Sequence, residues 1–79
     1  MSLEPLEFDL IDRGGPASVF TAPFVGTGGA IEHKCLGAIH ACNEAERLLS
    51  EGENVVKIVI SGHLIDPKHI TALKRYLEG

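Results

Sequence analysis

Tryptophan is absent from the 79 residues, tyrosine occurs once, and seven basic side chains are outnumbered by eleven acidic ones, which gives a formal net charge of −4. Proteins that bind the phosphate backbone carry an excess of Lys and Arg, and proteins that stack on bases use aromatic side chains. The composition therefore argues against a nucleic-acid-binding protein. No uncharged apolar run approaches the roughly 20 residues that cross a bilayer, which argues against a membrane protein.

Cysteine is also scarce, since the chain holds only Cys35 and Cys42. On a helix these two residues would lie roughly 10.5 Å apart along the axis, which is too far for a disulfide. Two free cysteines are typical of a reducing compartment, and residues 1–10 lack the apolar core of a signal peptide. The sequence predicts a cytoplasmic protein.

The length allows one small α/β domain over residues 1–79. Residues 1–3 and 78–79 are typical of ends added by an expression vector, which raises the expectation that the chain is a piece of a larger protein. A domain this short buries only about 60% of the surface that its unfolded chain exposes, and small domains often gain stability from a partner subunit. We therefore expect self-association, or contact with the rest of a larger protein.

Hydrophobic periodicity predicts five elements. Alternating apolar and acidic residues predict a half-buried strand at 6–10, and a second strand is predicted at 18–21. Apolar residues at spacings of three and four predict a long helix over 30–50. A β-branched run predicts a strand at 55–60, and a final helix is predicted over 67–77.

These elements give the order β-β-α-β-α and a small mixed sheet. A nearly continuous β-branched strand is typical of parallel sheets. The strands on either side of the long helix are therefore expected to pair in parallel through a right-handed crossover.

A metal site is the first candidate, because His33, Cys35, His40 and Cys42 lie close in sequence. On the predicted helix the two histidines share one face and the two cysteines share another, roughly 160° away. One ion cannot bind all four. We therefore expect core cysteines, surface histidines and no metal.

A glycine-rich run before the predicted helix is the second candidate, and it comprises Gly26, Thr27, Gly28 and Gly29. Free backbone N–H groups at a helix N-terminus can bind a phosphate or carboxylate. The run lacks the spacing and the lysine of the known nucleotide-binding motifs. A small-anion or cofactor-phosphate site and a plain turn both remain open.

The third candidate is Ser61 with Gly62, directly after the strand at 55–60. Open α/β sheets bind ligands beyond the carboxyl ends of their strands, where a hydroxyl and an unhindered backbone could contact a ligand. The alternative is a loop in which Ser61 satisfies nearby backbone groups.

Several segments together resemble a known family. They are Val19-Phe20 with Pro23, the strand at 55–60, Ser61-Gly62-His63, and Asp66-Pro67. Over residues 18–77, and most sharply over 55–67, the chain is similar to the C-terminal stretch of threonine synthase and related fold-type II pyridoxal-phosphate enzymes.

The resemblance implies that Ser61 hydrogen-bonds the pyridine nitrogen of pyridoxal phosphate in a parent lyase and that Gly62 lets the ring approach. The chain departs from the family at Ala22, where the family has Glu, and at Lys57, where it has an apolar residue. Nothing matches the family's Schiff-base lysine. The isolated chain is therefore expected neither to hold the cofactor nor to turn over substrate.

A second function remains open beside the first. The chain could instead form a stand-alone α/β module that oligomerises and binds a small anion or a protein partner. The surface around the strand at 55–60 is expected to distinguish the enzyme fragment from the stand-alone module, because a fragment would leave a large apolar area uncovered there.

Overall fold

The fold is built on one four-stranded antiparallel sheet, seen in a computed structural model that describes residues 3–23 and 29–79. The strands are β1 (Ala17–Thr21), β2 (Ile31–Cys35), β3 (Val55–Ile60) and β4 (His63–Ile65), in the spatial order β2-β1-β3-β4. Helices α1 (Ala38–Ser50) and α2 (Ile70–Glu78) complete the α/β fold. Two 3₁₀ segments, Pro5–Leu10 and Pro67–His69, precede β1 and α2. In the described part of the chain, no helix has the length and apolar character to cross a membrane.

The strands at 18–21 and 55–60 and the final helix are confirmed, with small changes of boundary. The strand predicted at 6–10 is wrong, because Pro5–Leu10 forms a 3₁₀ helix. Only Phe8 of this segment is buried, whereas Leu6 is 96% exposed and Leu10 is 56% exposed. The alternation in this segment therefore does not mark a core-facing strand.

The long helix predicted over 30–50 is correct only in its second half. Residues 31–35 form β2, which pairs antiparallel with β1, and the helix begins after Gly37. The spacing of four between Ile31 and Cys35 fits a helix, but it also fits a strand, in which even spacings share a face. The predicted parallel crossover is also wrong: β1 and β3 are neighbours, but they pair antiparallel.

The core lies between one face of the sheet and the two helices. Val19, Ile58, Ile60 and Leu73 are completely buried there. The rest of the hydrophobic cluster comes from both helices, the other strands and the N-terminal segment, with Leu3, Phe8, Ile11, Ala17, Cys35, Ala38, Ala41, Cys42, Ala45, Leu48, Val55, Ile65, Ile70 and Leu77. This cluster is continuous, so all four strands, both α-helices and the segment Pro5–Leu10 contribute apolar surface to one core.

A β-bulge interrupts the pairing of the two central strands. Phe20 lies opposite Lys57 and Thr21 lies opposite Val55, so Val56 has no partner in β1 and is 43% exposed. A bulge adds one residue to a strand and bends it locally. Val56 therefore exposes part of its apolar side chain, whereas Val55, Ile58 and Ile60 of the same strand are buried.

We expect Ile58→Ala to lower the free energy of unfolding by about 2–5 kcal/mol, because it leaves a cavity in a fully packed core. Val56→Ala removes a partly exposed side chain from the same strand and should change stability by less than about 1 kcal/mol. Equilibrium unfolding in urea measures both. Equal losses in the two variants would contradict the assignment of the core face.

Candidate functional site

Ser61 and Gly62 form the two-residue turn of a β-hairpin. Ile60 pairs with His63, and the two residues between them have φ angles of 53° and 82°. Positive φ at both central positions is the geometry of a type I′ turn, in which Gly is favoured because it lacks a Cβ. Ser61 therefore connects β3 to β4, and it does not lead from a parallel strand into a helix. The strand β4 was not predicted, although a Ser-Gly pair between apolar runs is a turn signal.

The loop at 12–16 holds this turn in place. The hydroxyl of Ser61 donates to the carbonyl of Asp12 at 2.8 Å, and its N–H donates to the carbonyl of Pro16 at 2.8 Å. A serine hydroxyl has a single hydrogen to donate. In this arrangement Ser61 does not fit a donor to the ring nitrogen of pyridoxal phosphate. Its role, and that of Gly62, in a cofactor site stays a prediction from the resemblance.

The same loop also fixes both helices. The N–H of Ala38, at the start of α1, donates to the carbonyl of Arg13 at 3.0 Å. The Arg13 side chain donates to the carbonyl of Leu77 near the end of α2, and its guanidinium lies 5.9 Å from the centre of the Tyr76 ring. The residues around Ser61 therefore have a structural function, which is the simpler of the two interpretations of the sequence.

The two cysteines are buried and free, as predicted, but they lie on different elements. Cys35 ends β2, whereas Cys42 lies on α1, so the helical geometry used for their spacing does not apply. Burial raises the pKa of Cys42 to about 12, with a smaller contribution from the nearby carboxylate of Glu46. Burial also raises the pKa of Cys35. Both thiols are therefore protonated at neutral pH, which is unsuited to a nucleophile.

The two histidines are likewise separated by the fold. His33 lies on β2, where its Nε2 lies 3.0 Å from the hydroxyl of Thr21. His40 lies on α1, where its Nδ1 accepts a hydrogen bond from the N–H of Leu36 at 2.9 Å. The prediction that they share one helix face is wrong, because His33 is not on a helix. Within residues 3–23 and 29–79, no group of three or more His, Cys, Asp or Glu side chains could hold a metal ion.

A shallow cavity of about 220 Å³ lies against α1, lined by His40, Asn43, Glu44 and Arg47. Arg47 is paired with Glu44 and, at 2.8 Å, with Glu51. The arginine charge is therefore balanced by its own helix, and the cavity lacks a nucleophile. The glycine-rich run remains undecided, because Gly26, Thr27 and Gly28 lie outside the described residues. Among the described residues, a Cβ built at Gly29 meets no atom within 4 Å.

The outer face of the sheet, away from the helices, carries the remaining candidates. Ser18 donates to the carboxylate of Glu32 at 2.6 Å, and the ammonium of Lys57 lies 4.7 Å from the centre of the Phe20 ring. Lys34 lies opposite Ser18 on the edge strand β2 and is exposed. Sequence reasoning missed Glu32 and Lys34 because β2 was assigned to a helix. The alternation of Ile31, His33 and Cys35 with charged residues was the available signal.

The two edges of the sheet differ. At the β4 edge, Leu3 forms a parallel bridge with Ile65, and its N–H donates to the carbonyl of Leu64 at 2.6 Å. At the other edge, β2 pairs only with β1 within the described residues. Among the described residues, the backbone groups on the outer side of β2 have no partner strand, and an edge of this kind can pair with another strand.

Comparisons of this chain with protein-family models, curated proteins and solved structures found no match. The candidate site is therefore defined by the chain's own geometry, and the exposed edge at β2 is its most distinctive part.

Gly15→Ala is expected to destabilise the fold by about 1–3 kcal/mol, because overpacking displaces neighbouring groups. A Cβ at Gly15 would lie 2.3 Å from the Ser61 hydroxyl oxygen and 3.3 Å from its Cβ. Gly14→Ala is the matched control, since a Cβ at Gly14 meets no atom closer than 3.9 Å. Adding Ser61→Gly to Gly15→Ala should recover part of the loss in urea unfolding. Equal stability of the two alanine variants would contradict the close contact.

We expect Cys42 to react slowly with a thiol-specific disulfide reagent at pH 8 and rapidly in denaturant, because the native thiol is buried and protonated. Its raised pKa also predicts stability that is fully present below the unfolded pKa of about 8.5 and falls as the pH rises toward 12. The variant Cys35→Ala isolates the reaction of Cys42. Rapid labelling of that variant in native buffer would refute the assignment.

Proposed function

We propose that this chain is a self-contained α/β interaction module that acts by self-association through its sheet. The observation that carries the proposal is the difference between the two sheet edges. At one edge Leu3 forms a bridge with Ile65 of β4, whereas the five residues of β2 form the other edge and pair only with β1 among the described residues. A strand with unpaired backbone groups is a template for pairing with another chain.

A complete core supports the module over a fragment of a larger enzyme. Val55, Ile58 and Ile60 are buried by elements of this chain. The N-terminal segment adds to the same core through Phe8, whose ring centroid lies 5.8 Å from that of Tyr76. A fragment that relied on a missing domain would expose a large apolar area around β3.

The side chains near the open edge support binding over catalysis. They comprise two side chains of opposite charge, Glu32 and Lys34, and a histidine whose ring is hydrogen-bonded to Thr21. General acid–base or nucleophilic chemistry requires a base placed next to a reactive group in a site that excludes water. Exposed charges on a strand edge instead set the choice and the register of a partner strand.

Only the family resemblance supports the prediction of a pyridoxal-phosphate site. It requires Ser61 to release the carbonyl of Asp12 and to turn its hydrogen toward a cofactor. Because the same bond fixes the hairpin, such a change would disturb the turn. The interaction module needs no such rearrangement, and it is therefore the function that we prefer.

We expect sedimentation velocity on the purified chain to show a weight-average mass that rises from monomer toward dimer as concentration increases. Urea unfolding at low concentration should be cooperative, because the monomer has its own core. A mass that stays monomeric at every concentration would contradict the proposed function. Non-cooperative unfolding at low concentration would contradict the self-contained module.

A further inference from the structure

We infer that a second copy of this chain pairs antiparallel with β2, on a two-fold axis that passes beside His33. The inference rests on the proposed function and specifies its interface. It joins two four-stranded sheets edge to edge into one continuous sheet, with both helix layers on the same side. A two-fold axis perpendicular to the sheet generates this arrangement, because it reverses the strand direction and preserves the faces.

The charges on β2 are self-complementary about this axis. Antiparallel pairing centred on His33 places Glu32 of each copy directly opposite Lys34 of the other. Both side chains are exposed on the outer face, and neither forms an ion pair within the described residues. Opposite charges that face each other across two strands stabilise the pair, and the two-fold axis produces this pair twice.

Neighbouring registers are disfavoured by the same side chains. If both helix layers stay on one side of the sheet, the two-fold axis must pass at a residue and not between two residues. Each change of register therefore moves the axis by one whole residue. An axis at residue 32 places Glu32 opposite its own copy, and an axis at residue 34 does the same for Lys34. Parallel pairing in register would also place like charges together. Among these arrangements, only the antiparallel register centred on His33 brings opposite charges together.

The helix-side face of β2 is compatible with this register. Ile31 is 60% exposed, and the pairing places it opposite the buried Cys35 of the second copy, so apolar groups meet apolar groups. His33 lies on the axis, where its ring is held toward β1 by Thr21 at 3.0 Å. The ring is therefore directed along its own sheet, which leaves the axis open for strand pairing.

Charged residues on an edge strand can also serve to prevent pairing. That role is met by charges of a single sign, since these repel in every register. The Glu32–Lys34 pair instead repels in the shifted registers and attracts in one. We therefore infer that these two residues select the register of the dimer and also disfavour pairing with other strands.

Charge reversal tests the register directly. Glu32→Lys and Lys34→Glu each turn both cross-strand pairs repulsive, and each should raise the dimer dissociation constant about tenfold or more. The double variant E32K/K34E restores opposite charges and should recover the original dissociation constant. An equimolar mixture of the two single variants should form a heterodimer that is more stable than either variant's homodimer. Sedimentation velocity and isotope-resolved native mass spectrometry measure both properties.

Matched controls separate this effect from a change in net charge or folding. Glu53→Lys and Arg75→Glu make the same changes of charge at exposed positions outside β2, and they should leave the dissociation constant unchanged. Circular dichroism of every variant verifies folding. If neither single charge reversal changes the dimer dissociation constant, the proposed register is wrong but self-association stands. A wild-type chain that never dimerises would overturn the proposed function together with this inference.

Discussion

The backbone carbonyls of the loop at 12–16 hold together parts of the chain that are remote in sequence. Asp12 and Pro16 accept hydrogen bonds from Ser61, and Arg13 accepts one from Ala38. The Arg13 side chain extends the same network to the end of α2. Together these bonds connect the hairpin and both helices to one loop, so they constrain where these elements lie. The geometry of the sheet edges follows from that arrangement.

Gly15 shows why this loop tolerates little change. A side chain at this position would meet the hydroxyl of Ser61, so the close approach of the loop to the hairpin depends on glycine. Ser61 in turn adopts a positive φ, which a two-residue turn requires and which few side chains accept readily. The Gly-Gly-Pro run in the sequence therefore encodes a tertiary contact as well as a turn. No local sequence pattern distinguishes a glycine needed for a tertiary contact from a glycine needed for a turn.

Elements with one consistent period could be predicted from the sequence. The β-branched run of β3 and the Asp-Pro start before α2 have few alternative structures. The helix prediction was wrong for residues 31–37 because an apolar spacing of four fits both a helix and a strand. Which of the two forms depends on pairing with β1. The direction of pairing between β1 and β3 was also wrong: the β-branched run favoured a parallel sheet, although Lys57 already indicated that one face of this strand is partly exposed, and Lys57 is exposed.

The candidate site was harder to predict than the fold. Ser61 and Gly62 were recognised as unusual for their position, but one basis for their ligand role was a parallel sheet that the chain does not form. The other basis, the family resemblance, stays a prediction. Glu32 and Lys34 become candidates for a binding role only when they are placed on an edge strand and a second copy of the chain is considered. The sequence of one chain does not display the two-fold symmetry that the proposed dimer would have.

The short bridge made by Leu3 has a consequence for how far assembly proceeds. A sheet with two open edges can add copies without end, which leads to fibrils. Here the N–H of Leu3 already donates to the carbonyl of Leu64, so in the proposed dimer part of each free β4 edge would be occupied. The proposed assembly would then favour a closed pair of chains over a growing fibril.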